Sequence, residues 1–234
     1  MGGLFVTGTD TEIGKTAVSA ALLRQFSAAG MRTLGMKPVA SGAVATAAGP
    51  RSDDAEQLIA AMSEAAAYEE VNPYLFEPAI APHLAAAEIG VRIDLERIVA
   101  VYRSLAERAE AVVVEGVGGW LVPLDDDHTV EDLARAIDLP VVLVVGMRLG
   151  CINHALLTER AILDSGCRMA GWIANRHLGD YPRIEENILT LESWMTTPRL
   201  GACGHAEEGG KAVVEDDHGR LFRAVSGAAG RVFE

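Results

Sequence analysis

The sequence predicts an α/β protein, a mostly parallel sheet flanked by helices, on three observations. Short apolar runs recur along the chain, stretches with helical spacing lie between them, and the first run passes through a glycine-bounded loop into an alanine- and leucine-rich segment. Leu4-Phe5-Val6 ahead of Thr7-Gly8 has the length of a buried strand, and Lys15 to Ala29 reads as a helix stopped by Gly30. Thr33 to Met36, Ala111 to Val114, Val141 to Val145 and Ala170 to Ala174 are each too short for a helix and read as strands covered on both faces. Between them, Asp94 to Ala109, Val130 to Ile137, His154 to Asp164 and Ile184 to Trp194 carry apolar residues at helical spacing. Such alternation implies right-handed crossovers and a ligand crevice beyond the carboxyl ends of the strands. Ser41 to Arg51 reads as a loop, Asn72 to His83 as a long irregular connection, and the chain after Gly204 as irregular with weak helical character from Leu221.

Composition narrows the function. The 234 residues, half of them hydrophobic, suffice for one mid-sized domain over 1–234, with the tail after about 204 the least patterned part. A formal net charge of -13 repels phosphate backbones and anionic lipid, so neither nucleic acid nor a membrane is an expected partner. Cys151, Cys167 and Cys203 are odd in number and too far apart for a metal clip, which fits a reducing, cytoplasmic setting. No basic leader and no run of about 18 apolar residues is visible, so no targeting or spanning segment is expected. The six histidines show no metal-ligand spacing. Trp120, Trp172 and Trp194 have apolar neighbours and are expected in the core or at a subunit interface. Of 20 basic residues only Lys15, Lys37 and Lys211 are lysines, and a compact ammonium is what a phosphate loop accepts where a guanidinium fork does not fit.

Gly8-Thr9-Asp10-Thr11-Glu12-Ile13-Gly14-Lys15-Thr16 joins the first strand to the first helix. It ends in the Gly-Lys-Thr of a phosphate loop, which makes the expected fold P-loop NTPase-like. Backbone N–H groups and the positive helix end converge there on phosphate, Lys15 reaches the outer phosphates and the Thr16 hydroxyl ligates magnesium. Five residues separate Gly8 from Gly14, where the usual motif has four. Mg2+ held only by Thr16 and phosphate lacks ligands, so a carboxylate is expected at a neighbouring strand end. Glu115, closing Val112-Val113-Val114, is placed for that. Asp54 is a second candidate, although Ser52 or Asp53 can equally cap a following helix.

Four segments together resemble the dethiobiotin synthetase family: the phosphate loop, Lys37-Pro38-Val39-Ala40-Ser41-Gly42, Val114-Glu115-Gly116-Val117-Gly118-Gly119 and Gly150-Cys151-Ile152-Asn153-His154. Asn72-Pro73-Tyr74, Ala81-Pro82-His83 and Gly171-Trp172-Ile173-Ala174-Asn175 extend the resemblance over roughly residues 3 to 201. It implies a homodimeric ligase that makes dethiobiotin from 7,8-diaminopelargonate, CO2 or bicarbonate, and ATP with Mg2+.

By the resemblance, Lys37 and Lys15 bridge carbamate and γ-phosphate, and Thr11 and Ser41 hydrogen-bond the carbamate and substrate side. On its own, Lys37 before a proline reads as an ordinary solvated lysine. The nucleotide site so implied comprises Glu12, Ile13, Gly14, Lys15, Thr16, Ala17, Asp54, Glu115, Gly116, Val117 and Gly118, with Thr16, Asp54 and Glu115 on the metal. Asn175 reads the adenine edge with Arg176 beside it, though a strand-end asparagine forming a turn is as natural. After Thr197-Pro198-Arg199-Leu200-Gly201 the family continues with a further proline that this chain lacks. Base contacts survive there only if backbone groups of Gly204, His205 and Ala206 make them. The substrate's far carboxylate is taken partly by Leu149, Gly150, Cys151 and Asn153 of a neighbouring subunit. In that reading Cys151 contributes backbone alone, and Asn153 opens the helix running from His154, which is also plain helix capping.

Three other readings have features this sequence lacks. A corrinoid side-chain amidating enzyme brings a glutaminase domain, a partitioning-type switch ATPase an extra early lysine and a basic surface, and a metabolite kinase an arginine-rich lid.

Overall fold

A computed structural model of the chain describes residues 2–176, 181–204, 211–216 and 219–227. Strand β1 (Gly2–Gly8) leads into α1 (Lys15–Ala28), followed by β2 (Thr33–Met36), β3 (Val39–Ser41), β4 (Val44–Thr46), β5 (Gly49–Arg51) and α2 (Asp53–Ile59). Next come α3 (Tyr68–Val71), β6 (Tyr74–Phe76), α4 (Pro82–Glu88), α5 (Leu95–Arg108), β7 (Ala111–Glu115), α6 (Val130–Ile137) and β8 (Val141–Gly146). The remaining elements are α7 (Cys151–Asp164), β9 (Met169–Asn175), α8 (Ile184–Trp194), β10 (Arg199–Cys203), β11 (Val214–Asp216) and α9 (Arg220–Gly227).

The main sheet has the order β11-β10-β9-β8-β1-β7-β2, and every neighbouring pair is parallel except β10–β11. Central β1 pairs with β7 and β8, so Gly8, Glu115 and Gly146 end side by side at one edge. Strand alternation sorts the side chains onto two faces. Leu4, Val6, Val113, Val142 and Val144 pack with Leu22, Leu23 and Phe26 of α1 and with Leu221 and Val225 of α9. Phe5, Val112, Val114, Leu143 and Val145 pack on the other face with Ile98, Leu105, Leu133 and Trp172. Covered on both sides, these strands carry continuous apolar runs, which is why the sequence reveals them.

Polar groups fix the flanking elements. Asp94 caps α5, its Oδ1 accepting from the Glu96 and Arg97 N–H groups at 2.9 and 3.3 Å. The Asp132 carboxylate accepts the Thr129 N–H at 2.8 Å where α6 begins. Trp172 and Trp120 are buried, as expected, whereas Trp194 is 68% exposed on this chain. Among the described residues the three cysteines are free, and burial raises the Cys151 thiol pKa and pushes that of Cys203 up to about 11. No helix among the described residues is long and apolar enough to cross a membrane.

Several expectations fail in short elements. Ser41 to Arg51, read as a loop, contains the β4–β5 hairpin, and Asn72 to His83 contains β6 paired with β3 and the start of α4. These pieces are three residues long or begin at a proline, too brief for any periodicity. After Gly204 the chain does not simply dissolve: β11 adds an antiparallel edge to β10, and α9 covers the sheet from Arg220.

Candidate active site

The phosphate loop is held from behind. Glu12 (φ 57°) and Gly14 (φ 83°) both adopt the left-handed conformation, which turns the backbone back towards α1. A Cβ on Gly14 would lie 2.1 Å from Nδ2 of Asn175, so only glycine fits. Asn175, fully buried at the end of β9, donates that Nδ2 to the Ile13 carbonyl at 2.6 Å. Helix α1 has no side-chain cap, so its first N–H groups and positive end face whatever enters the loop. Lys15 Nζ donates to the Asp10 carbonyl at 2.7 Å. Burial, and then the Lys37 charge, bring its pKa down to about 8 despite the nearby carboxylates.

A ring of charged groups closes the other side. Thr16 Oγ1 lies 2.7 Å from Asp54 Oδ1 and 2.8 Å from Glu115 Oε1. One hydroxyl proton serves only one of those oxygens at a time. Lys37 Nζ donates to Glu115 Oε1 at 2.7 Å, to Asp54 Oδ2 at 2.8 Å and to the Gly116 carbonyl at 3.3 Å. Lys37 is therefore not a solvated lysine: it is 3% exposed, and Glu115 is fully buried. Burial lowers the Lys37 pKa, but Glu115 and Asp54 more than offset this and hold it above the ordinary lysine value. Burial raises the Asp54 pKa, and the Lys37 ammonium and Thr16 hydroxyl outweigh it, keeping the carboxyl below its ordinary value.

The helix-capping and cleft-facing roles fall on separate residues at the start of α2. Ser52 caps the helix, its side chain accepting the Ala55 N–H, and Asp54 in the first turn reaches Thr16 and Lys37. Glu115 Oε2 is buried with no hydrogen-bond partner. A hydroxyl, two carboxylates and an orphaned buried carboxylate oxygen form a hard oxygen donor set suited to magnesium. Among the described residues no cluster of three or more His, Cys, Asp or Glu could hold a metal, so this two-carboxylate set would need phosphate or water to complete it.

Lys15, Thr16, Lys37, Asp54 and Glu115 line one cleft of about 730 Å³ together with Thr11, Glu12, Gly14, Ser41, Val117 and Gly118. Ser41 Oγ is buried in this structure without a hydrogen-bond partner. Ile13 and Gly116 are buried beside it, and Ala17 follows Thr16 into α1. Sequence reasoning gave no site role to the lining residues Ala79, Ile80 and Val122, quoted Ala81-Pro82 without a role, and missed the part played by Asn72. Asn72 Nδ2 donates to the Lys37 carbonyl at 2.7 Å and the Tyr74 carbonyl at 3.1 Å, which fixes the backbone that carries Lys37. Asn72-Pro73-Tyr74 was already the signal, without a role attached. Arg148, also missed, pairs with the Asp10 carboxylate at the mouth of the loop.

Leu149, Gly150, Cys151 and Asn153 line no part of this cleft on their own chain. The helix they belong to also starts earlier than expected. Gly150 (φ 92°) makes the left-handed turn, α7 begins at Cys151, and Asn153 is an exposed residue of its first turn, so it does not open a helix at His154. Leu149 is 85% exposed. Arg176 donates its backbone N–H to the Cys203 carbonyl at 2.9 Å and pairs with Glu185 at 2.9 Å, beside Gly204 at the end of β10. His205 and Ala206 lie outside the described residues.

Solved structures with similar folds are P-loop proteins. The MinD cell division protein of Aquifex aeolicus superposes with a TM-score of 0.54 at 10% identity, covering 96% of this chain and 88% of that one. A ParA family ATPase from Chlorobium tepidum gives 0.51 at 14% identity, covering 98% and 92%. At that identity the likeness shows the fold alone. A family model described as an AAA domain matches residues 2–208. A curated relative from Pseudomonas paraeruginosa, named ATP-dependent dethiobiotin synthetase BioD, is 53% identical over 215 residues, 92% of this chain and 94% of that protein. Its counterpart in Pseudomonas aeruginosa is 52% identical over the same span. With the phosphate loop, the Lys37 segment and the Glu115 strand end in one cleft, and identity above one half along nearly the whole length, the chain belongs to the ATP-dependent dethiobiotin synthetase family, enzymes of the ligase class.

Proposed function

We propose that this protein, acting as a single domain, carboxylates 7,8-diaminopelargonate with CO2 and closes the ureido ring of dethiobiotin at the expense of ATP. One amine captures CO2 as a carbamate and loses a proton. A carbamate oxygen then attacks the γ-phosphorus, ADP leaves, and the second amine attacks the carbonyl carbon of the mixed anhydride, expelling phosphate as the ring closes.

The difficulty is electrostatic, because a carbamate must approach a triphosphate of the same sign. Fixed cations between them remove that barrier, so positioning and charge neutralisation carry the catalysis. The single observation that supports the reading is the meeting of two buried ammonium groups, from Lys15 and Lys37, with Thr16, Asp54 and Glu115 in one cleft. Lys15 and the α1 N-terminus hold the β- and γ-phosphates. Lys37 neutralises the carbamate oxygen as it meets the γ-phosphoryl group. Ser41 Oγ and the Thr11 hydroxyl orient the carbamate side. Thr16, Asp54 and Glu115 hold Mg2+, which supplies charge neutralisation on the phosphate oxygens.

The base is bound beyond the loop towards Asn175, Arg176 and Gly204, and His205 and Ala206, outside the described residues, are the further base contacts of this proposal. Asn175 pins the Ile13 carbonyl, so the same residue can set loop and base registers together. The substrate's far carboxylate is taken by Leu149, Gly150, Cys151 and Asn153 of the second subunit of a homodimer. A solvent-exposed Leu149 and the free first turn of α7 support that assignment. The setting is the cytoplasm.

Phosphate release by the purified protein with Mg-ATP should require diaminopelargonate and bicarbonate together and match dethiobiotin formation mole for mole. Equal phosphate release with ATP alone, or stimulation by DNA, would point to a switch ATPase instead.

A further inference from the structure

Around Thr16 the protein matches charge for charge: Asp54 and Glu115 bring two carboxylates, and Lys37 and Lys15 two ammonium groups. The Lys37 ammonium is shared almost evenly by both carboxylates of the oxygen donor set, at 2.7 and 2.8 Å. Asp54 has one oxygen on Thr16 and the other on Lys37. Glu115 gives Oε1 to both and keeps Oε2 buried and unpartnered. A divalent cation drawing on these carboxylates would compete with a monovalent one for the same oxygens, and the two like charges would repel.

We infer that the Lys37 ammonium stands in for the divalent cation, holding Asp54 and Glu115 aligned in the nucleotide-free protein and surrendering them when the metal arrives with the triphosphate. The inference rests on the proposed metal set of Thr16, Asp54 and Glu115, and adds an order of events to it. Without Lys37 the buried Glu115 carboxylate and the partly exposed Asp54 carboxylate repel each other and would separate. With it they wait in place. Entry of the metal with the nucleotide's negative charge frees the ammonium for the anions that arrive next, the γ-phosphoryl group and the carbamate. Lys37 is thereby kept off those anions until the metal is seated.

Competition of this kind has a signature that needs no turnover. Titrated with Mn2+ alone and followed by electron paramagnetic resonance, the Lys37→Gln and Lys37→Met variants should bind the ion about tenfold or more tighter than the unaltered protein, because the cluster has lost a competing positive charge. Unchanged or weaker Mn2+ binding in folded variants overturns the stand-in role.

Should the variants fail to fold, the unaltered chain offers a second readout. It contains only three lysines, so 13C labelling at lysine Cε gives three resonances, assignable through Lys211→Arg and Lys15→Arg. The Lys37 resonance should move when Mg2+ is added to the complex with a non-hydrolysable ATP analogue, and the Lys15 resonance should move with the analogue before metal. A Lys37 resonance that stays fixed on metal saturation overturns the inference. Either failure, alongside phosphate release that still requires diaminopelargonate and bicarbonate, removes only the stand-in role. Loss of that requirement removes the proposed activity whatever the metal data.

Discussion

The phosphate loop and the tip of β2 each send one buried ammonium into the cleft, and they are prepared in opposite ways. Lys15 has a backbone carbonyl as its hydrogen-bond partner, and its pKa falls to about 8. Lys37, almost equally buried, has two carboxylates, and its pKa is raised. Burial penalises both charges, so partners decide the outcome. The loop presents its ammonium and N–H groups to a triphosphate, whereas the ammonium at the β2 tip has carboxylate partners within its own chain.

The widest separation between the two regions should appear in kinetics. Lys37→Gln is expected to lower single-turnover phosphate transfer by roughly 10³-fold while nucleotide affinity changes only a few-fold, because its charge is needed most where the two anions meet. Lys15→Gln should instead weaken nucleotide binding itself. Equal loss of nucleotide affinity in both variants would erase the distinction.

Stability should separate them in sign. Lys37→Met leaves the buried Glu115 carboxylate without its cation, facing the partly exposed Asp54, and is expected to cost about 3 kcal/mol in denaturant unfolding, with part of it recovered in the Lys37→Met, Glu115→Gln double variant. Lys15→Met removes a charge with little compensation and should leave the nucleotide-free protein as stable as before or about 1 kcal/mol more stable. A larger loss from Lys15→Met than from Lys37→Met would reverse the account of the two sites.

The pH dependence sharpens the same contrast. A Lys15 pKa of about 8, against 10.5 for a free lysine, means that folding favours its neutral form, so this group opposes folding below pH 8 and opposes it less as pH rises towards 10.5. A bound triphosphate favours the ammonium. Nucleotide affinity should accordingly fall by up to about tenfold per pH unit above 8, with proton uptake on binding, measurable by calorimetry in buffers of different ionisation enthalpy. Lys15→Gln should flatten that dependence. Proton release, or a flat profile for the unaltered protein, would contradict it.

The smallest effect belongs to the mouth of the loop. Arg148 and Asp10 form a pair whose side chains are each 46% exposed, so Arg148→Ala should change stability by less than about 1 kcal/mol.

How much of this was legible follows from where each signal sits along the chain. Gly14, Lys15 and Thr16 are adjacent, and a strand before and a helix after them suffice to identify the loop. Glu115 was legible because a carboxylate closing an apolar run demands a partner. The Lys37–Glu115 bond joins residues 78 apart, which no local pattern encodes, and the family resemblance alone singled Lys37 out. Asp54 stood undecided between metal and cap because the two functions fall on neighbours: Ser52 takes the cap and frees Asp54. Helix α7 was misplaced by a turn because Gly150 reads as a loop residue, while its left-handed backbone is what starts the helix at Cys151. Strands β10 and β11 escaped because Arg199-Leu200-Gly201-Ala202-Cys203 and Val214-Glu215-Asp216 lack the valine-rich runs of the centre, being held by edge pairing and by α9.

The central claim is that Lys15 and Lys37 let a carbamate oxygen reach the γ-phosphorus. Turnover with 18O-labelled bicarbonate, freshly mixed in the absence of carbonic anhydrase and followed by mass spectrometry of the released phosphate, tests it directly. The account predicts one labelled oxygen in each phosphate, carried from the carbamate through the mixed anhydride. Phosphate whose new oxygen comes from water would contradict it.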